Sequence, residues 1–168
     1  MKGIPGCVLY DVISNFNSAM AINIRKGTAD DLPVALALIK ELAVFEKAPE
    51  EVTNTLEMMM KDGFGDHPVY DFIVAEEDEV ICGMSLYYWR YSTWKGRRLY
   101  LEDLIVTESK RGLGIGKALF EKTIEIGREA GATGMMWQVL DWNEPAINFY
   151  RKYETRLDEE WINCNLEF

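Results

Sequence analysis

Two adjacent carboxylates, Glu102 and Asp103, stand in the run Tyr100-Leu-Glu-Asp-Leu-Ile-Val106, and Arg111-Gly-Leu-Gly-Ile-Gly116 follows shortly after. The stretch reads as a strand, a glycine-rich turn and a helix start. That order gathers free backbone N–H groups at the positive end of a helix, a geometry suited to a pyrophosphate. Neighbouring side chains alternate faces on a regular strand, so only one acid of the pair points into a given pocket unless a bulge rotates the other. A phosphate cradle beside paired acids points to a nucleotide-like cofactor and a cationic substrate. An alkylamine, with a pKa of about 10.4, must lose a proton before it can attack a carbonyl. Glu102 is the candidate general base, acting through water, because a strand-centre position can lift a carboxylate toward neutrality. The plainer alternative is a surface acid paired with Arg98 or a helix N-terminus.

The glycine spacing discriminates among cradles. A P-loop requires G-x-x-x-x-G-K-[ST], but Arg111 stands where its first glycine would be and Ala118 follows Lys117. The dinucleotide pattern G-x-G-x-x-G fails too, because Gly112, Gly114 and Gly116 alternate. R-x-x-G-x-G remains, with an ordinary glycine-rich turn as the alternative. Trp94, with Tyr87, Tyr88 and Trp89 on the strand before it, can wall a channel by stacking on an alkylammonium, although alternation lets at most two of that strand face one pocket. His67, the only histidine, reads as a loop residue.

Composition narrows the classes. The chain has 168 residues, 48% of them hydrophobic, enough for one domain with a real core. A net charge of −10 disfavours nucleic acid and favours polycations, or serves solubility alone. Cys7, Cys82 and Cys164 are odd in number with no C-x-x-C, so neither disulfides nor a metal site is expected, and Cys82 and Cys164 read as buried thiols of a reducing cytoplasm. No apolar run is long enough for a membrane span. Residues 1–19 read as an N-terminal extension, and 20–168 as one domain.

The elements that must position these residues follow from periodicity. Ala21–Arg25 alternates as a strand. Thr28 and Asp31 cap a helix carrying Leu32, Leu36, Ile39, Leu42 and Ala43, which ends about Phe45. Thr53 opens a shorter helix through Met58–Met60 to about Gly63. Asp71–Glu76 and Val80–Arg90 form a hairpin around Glu77-Asp78-Glu79. Arg98–Thr107 is the next strand, a helix through Ile115, Leu119, Ile124 and Ile126 ends at Gly131, and Met135–Leu140 is a fifth strand. Glu144–Tyr153 is a short helix and Glu160–Phe168 a last strand. The mixed order implies an α+β fold, a mostly antiparallel sheet with helices on both faces.

Five motifs occur in one order: Gly63-Phe-Gly-Asp-His-Pro68, Tyr91-Ser-Thr-Trp-Lys-Gly-Arg97, Tyr100-Leu-Glu-Asp103, Arg111–Gly116 and Asp141-Trp-Asn-Glu-Pro-Ala-Ile-Asn-Phe-Tyr150. Together they resemble the GNAT superfamily of N-acetyltransferases, specifically its spermidine/spermine group and, within that, the thialysine or diamine acetyltransferase 2 branch. The resemblance covers about residues 21–153. It implies a GNAT fold, with a six- to seven-stranded sheet and a V-shaped splay between the fourth and fifth strands that admits acetyl-CoA. It implies that Leu104, Ile105 and Val106 offer main-chain groups to the pantetheine arm and thioester, and that Arg111, Gly112, Leu113, Gly114, Ile115, Gly116 and Lys117 receive the phosphates. It also implies the water-mediated base role for Glu102, and contact of Asp103 with the polyamine or a partner subunit. Tyr150 reads by itself as a core aromatic beside Phe149; the resemblance makes it the acid that protonates the departing thiolate. Asn143 is either a helix cap or a cofactor contact. The implied reaction is direct acetyl transfer, in a ternary complex, to a primary amine of a polyamine, diamine or thialysine-like molecule, by a homodimer. A protein or peptide N-acetyltransferase and a non-catalytic acyl-CoA-binding module are the rival readings. After Tyr153 the family commonly carries Gly-Ala where this chain has Glu154-Thr155, and a non-glycine residue in the left-handed region costs on the order of 1 kcal/mol, so a different helix end is expected.

Overall fold

A computed structural model describes residues 22–166. The N-terminal extension and Cys7 lie outside these residues. Strand β1 (Asn23–Lys26) leads through the capped turn at Thr28 into helix α1 (Leu32–Phe45), and α2 (Leu56–Phe64) follows. Strands β2 (Asp71–Glu77), β3 (Val80–Ser92) and β4 (Gly96–Val106) form an antiparallel meander. Helix α3 (Ile115–Glu129), strand β5 (Met135–Met136) and helix α4 (Glu144–Tyr150) complete the regular elements. The sheet order is β1-β2-β3-β4-β5, antiparallel except for the parallel β4–β5 pair.

Alternation on the strands builds two cores. Phe72 and Val74 of β2 face α1 and α2, where Leu32, Ala35, Leu36, Leu38 and Met59 are buried. Ile73 and Ala75 face α3 and α4, where Ile115, Leu119, Phe120 and Tyr150 are buried. Asp78 and Glu79 turn the β2–β3 hairpin with φ of 50° and 65°, the left-handed pair that a tight two-residue hairpin requires. The capping pair forms between the residues that the sequence reads, on the 3-10 turn Ala29–Asp31 that leads into α1: Thr28 donates its N–H and its hydroxyl to Asp31 Oδ2, each at 2.8 Å. Arg25 then bridges Asp31 and Glu76, tying β1, α1 and β2 together.

Five strands are present among the described residues, not six or seven. β5 is held only through Leu99↔Met135 and Tyr100↔Met136, after which β4 runs on to Val106 with no partner on that side. That divergence is the expected splay. A strand needs a neighbouring ladder, so Trp137–Leu140, past the point where β4 has left, carries no strand. Glu160–Leu166 carries none either: with β5 two residues long it has no edge to pair with, and Trp161 and Ile162 are exposed. Cys82 is buried as expected, but Cys164 is exposed. Glu154 occupies the left-handed region, φ 54°, so α4 and its 3-10 extension end as they would with glycine. Among the described residues, no helix is long and apolar enough to cross a membrane.

Candidate active site

The paired acids sit at a break in the β3–β4 ladder. Leu86 pairs with Asp103 and Tyr87 with Leu101, which leaves Glu102 as an extra residue on β4. Leu99 and Leu101 therefore belong to the α3–α4 core, whereas Ile105, an even number of residues onward, belongs to the α1–α2 core. The bulge places both acids on the α1 side. Asp103 shares the face of Ile105, and the Glu102 charge reaches Asp103, Tyr88 and Tyr100. The ladder thus shows the bulge that is the stated exception to strict alternation of the two acids.

A third carboxylate, Glu46, joins them from the end of α1. The sequence reading missed it because nothing local marks it; its role comes from where α1 crosses β4. Burial raises Glu46 above the ordinary carboxylate range, and Glu102 as well. Asp103 is pushed up to about 7, by burial first and then by Glu102 and Glu46. Tyr88 and Tyr100, paired across the strands with ring centroids 5.0 Å apart, form the aromatic surface beside Glu102. Trp94 lies elsewhere: it is 83% exposed at the tip of the β3–β4 hairpin, roughly 20 Å of strand from Glu102. Tyr87 points into the α3–α4 core.

Tyr150, at the end of α4, is buried in the α3–α4 core. Its ring is packed against Trp137, Phe120 and Phe149 at 5.0, 5.4 and 5.2 Å, so the core reading is right about its surroundings. Its phenol is pushed up to about 12 by burial and by the charge of Glu46. The Glu46 charge contributes to the upward shift of both Asp103 and Tyr150, behind burial in each case. Asn143 caps α4, its Oδ1 accepting the Ala146 N–H at 3.3 Å.

The main chain of β4 supplies polar groups to the splay in a definite phase. Thr107 N–H donates to Cys82 C=O at 2.9 Å. Counting back by two in an antiparallel ladder, the main-chain groups of Ile105 and Asp103 also face β3, and those of Leu104 and Val106 face the open side. The expectation for Ile105 is corrected accordingly: its amide faces β3 and its side chain is buried in the α1–α2 core.

Beyond β4, Gly112 and Gly114 take φ of 80° and 84°, with nothing within 4 Å of where a Cβ would lie. Gly114 is the N-cap of α3, so the first N–H groups of that helix have no partner inside it. Leu113 is exposed, Ile115 anchors the helix start in the core and leaves only its main chain to the turn, and Lys117 pairs loosely with Glu121 at 3.8 Å. Arg111 is folded back: its Nε donates to Val106 C=O at 3.0 Å, and its guanidinium lies 5.1 Å from the Phe45 ring. Open space over two left-handed glycines, exposed amides and a helix N-terminus suit a diphosphate, and the Leu104 main-chain groups with the Val106 N–H, whose carbonyl is taken by Arg111, suit a thioester arm alongside.

Comparison with known proteins bears on the family and the fold. The model of the Acetyltransferase (GNAT) family matches residues 36–154. The chain is 38% identical over 138 residues to the thialysine N-epsilon-acetyltransferase of Bos taurus, covering 77% of this chain and 81% of that protein. It is 39% identical over 123 residues to the thialysine N-epsilon-acetyltransferase of Caenorhabditis elegans, covering 73% and 76%. The crystal structure of a possible acetyltransferase from Clostridium difficile 630 superposes with a TM-score of 0.74 at 21% identity, covering 88% of this chain and 99% of that one, a likeness of fold. Sequence, splayed sheet and glycine turn converge: the chain belongs to the GNAT family of N-acetyltransferases, enzymes whose acetyl donor is acetyl-CoA.

Proposed function

We propose that the chain acetylates a primary amine of a small cationic molecule, a thialysine-like amino acid, a diamine or a polyamine. The observation that carries this reading is the set of three carboxylates, Glu46, Glu102 and Asp103, gathered on one side of the splay with Tyr88 and Tyr100 beside them. Such a cluster attracts an ammonium group, which is the form the substrate takes at neutral pH.

Acetyl-CoA supplies an activated thioester, and the chain's residues do the rest. Main-chain N–H groups of Gly112–Lys117 hold the diphosphate, and Leu104 and Val106 pair with the pantetheine arm. The Leu104 N–H polarises the thioester oxygen. Glu102 and Asp103 titrate as a coupled pair, with Glu102 taking the amine proton through water. Tyr150 remains protonated across the working range and protonates the thiolate as it leaves. Direct attack in a ternary complex is the course we propose, and the burial of Cys82 in the α3–α4 core supports it over a cysteine-bound intermediate.

Asn143 contributes to the donor side from the start of α4. The assembly we propose is a cytoplasmic homodimer, with the exposed Trp94 and Trp161 at its interface and Trp94 walling the acceptor channel from there. The test is release of free CoA thiol in the presence of thialysine, spermidine and short diamines. Amine-dependent release supports the reading; release only with peptide N-termini or protein lysines rejects it.

A further inference from the structure

We infer that Glu41 of α1 is a positioning residue for the donor's phosphate loop. This rests on the proposed reading of Gly112–Lys117 as the diphosphate cradle. Glu41 Oε2 accepts the Thr107 hydroxyl at 2.9 Å, and its Oε1 accepts the Glu108 N–H at 2.7 Å. The Arg111 guanidinium lies 3.6 Å from the same Oε1. All three donors belong to the short link between β4 and the glycine turn.

That link is a single 3-10 turn, Glu108–Lys110, and Thr107 at its start does not cap it with its own side chain. Glu41 does so from a residue 67 positions away, satisfying the turn's orphan N–H with a charged acceptor. On the other flank Lys110 forms an ion pair with the buried Glu77 at the end of β2. The link is therefore gripped from α1 and from the β2–β3 hairpin, which fixes the direction in which Gly112 leaves it. Glu41 also holds Arg111 against Phe45 and the Val106 carbonyl, making it a brace between α1 and β4. Because α1 carries Glu46 just beyond, one rigid helix sets the donor loop and the acceptor recess relative to each other.

Calorimetry of CoA binding and steady-state kinetics on the full chain test this. Loss of a charged acceptor shared by several donors is expected to weaken CoA binding about tenfold in Glu41→Ala, and less in Glu41→Gln, which keeps one acceptor oxygen. The KM for acetyl-CoA rises in parallel, whereas kcat at saturating donor changes little. Glu41→Ala and Thr107→Val are expected to be non-additive in CoA affinity, which a general loss of stability would not produce. Unchanged CoA affinity in folded Glu41→Ala overturns the inference. Tighter binding also overturns it, since Glu41 would then only withhold Arg111 from the phosphates. Gly114→Ala isolates the underlying reading: it strains only the turn, and if it leaves CoA affinity unaltered the cradle itself is wrong, whatever Glu41 does.

Discussion

At the residue scale the decisive quantity is the titration of Asp103. Its carboxyl is pushed up to about 7, so the acid pair becomes fully ionised only above neutrality. The kcat/KM for the amine is expected to rise through a limb near pH 7. Glu102→Gln removes one of the charges that raises Asp103, so this limb moves to lower pH while turnover falls; a profile with the limb in its original place would contradict the coupling. Stability moves the other way. A folded-state pKa above the unfolded one means that the folded chain binds the proton more tightly, so the native chain loses stability relative to Asp103→Asn as pH rises from the ordinary aspartate value to about 7. Urea midpoints at pH 5 and pH 8 for both proteins measure it, and an equal difference at the two pH values would count against a raised Asp103. Asp31 has the opposite sign: Arg25 holds it well below the usual range, and its contribution is lost as pH falls. Tyr150→Phe is expected to lower kcat by about 10²-fold or more with CoA affinity nearly unchanged. The paired acids stood out in the sequence and Tyr150 did so only through the family resemblance, its own surroundings reading as core, but the facing of the acids was not legible. The bulge that places Glu102 and Asp103 together depends on the register of β3, and Glu46 enters through the path of α1, neither of which is local.

At the element scale, periodicity located α1, α3 and the β2–β3 hairpin well, because each carries its own caps, turn or apolar stripe. Thr55 caps α2 in place of Thr53, its hydroxyl accepting the Met58 N–H. The expected strands after Met136 failed for a different reason: alternation marks a segment able to pair, and pairing needs an edge within reach. Ile105 shows the same limit, since which amides face the splay follows from the ladder's phase. Glu154, left-handed at the end of α4, is a strained residue with a simple test. Glu154→Gly is expected to stabilise the chain by about 1 kcal/mol in thermal unfolding. No gain would mean that neighbouring contacts of Glu154 offset the backbone strain.

At the scale of the whole molecule, the net charge of −10 is a field as well as a solubilising feature. A polyamine should be drawn in over distances set by the Debye length, about 10 Å at 0.1 M salt. The kcat/KM for spermidine is therefore expected to fall more steeply with ionic strength than that for a singly charged amine, and equal slopes would confine the electrostatics to the recess. The most direct measurement is CoA thiol release from acetyl-CoA by the full chain, with thialysine, spermidine and short diamines each added alone. Release that depends on such an amine, and collapses in Glu102→Gln and Tyr150→Phe, is the expected result; release indifferent to every small amine would contradict the assignment of the acidic recess as the acceptor site.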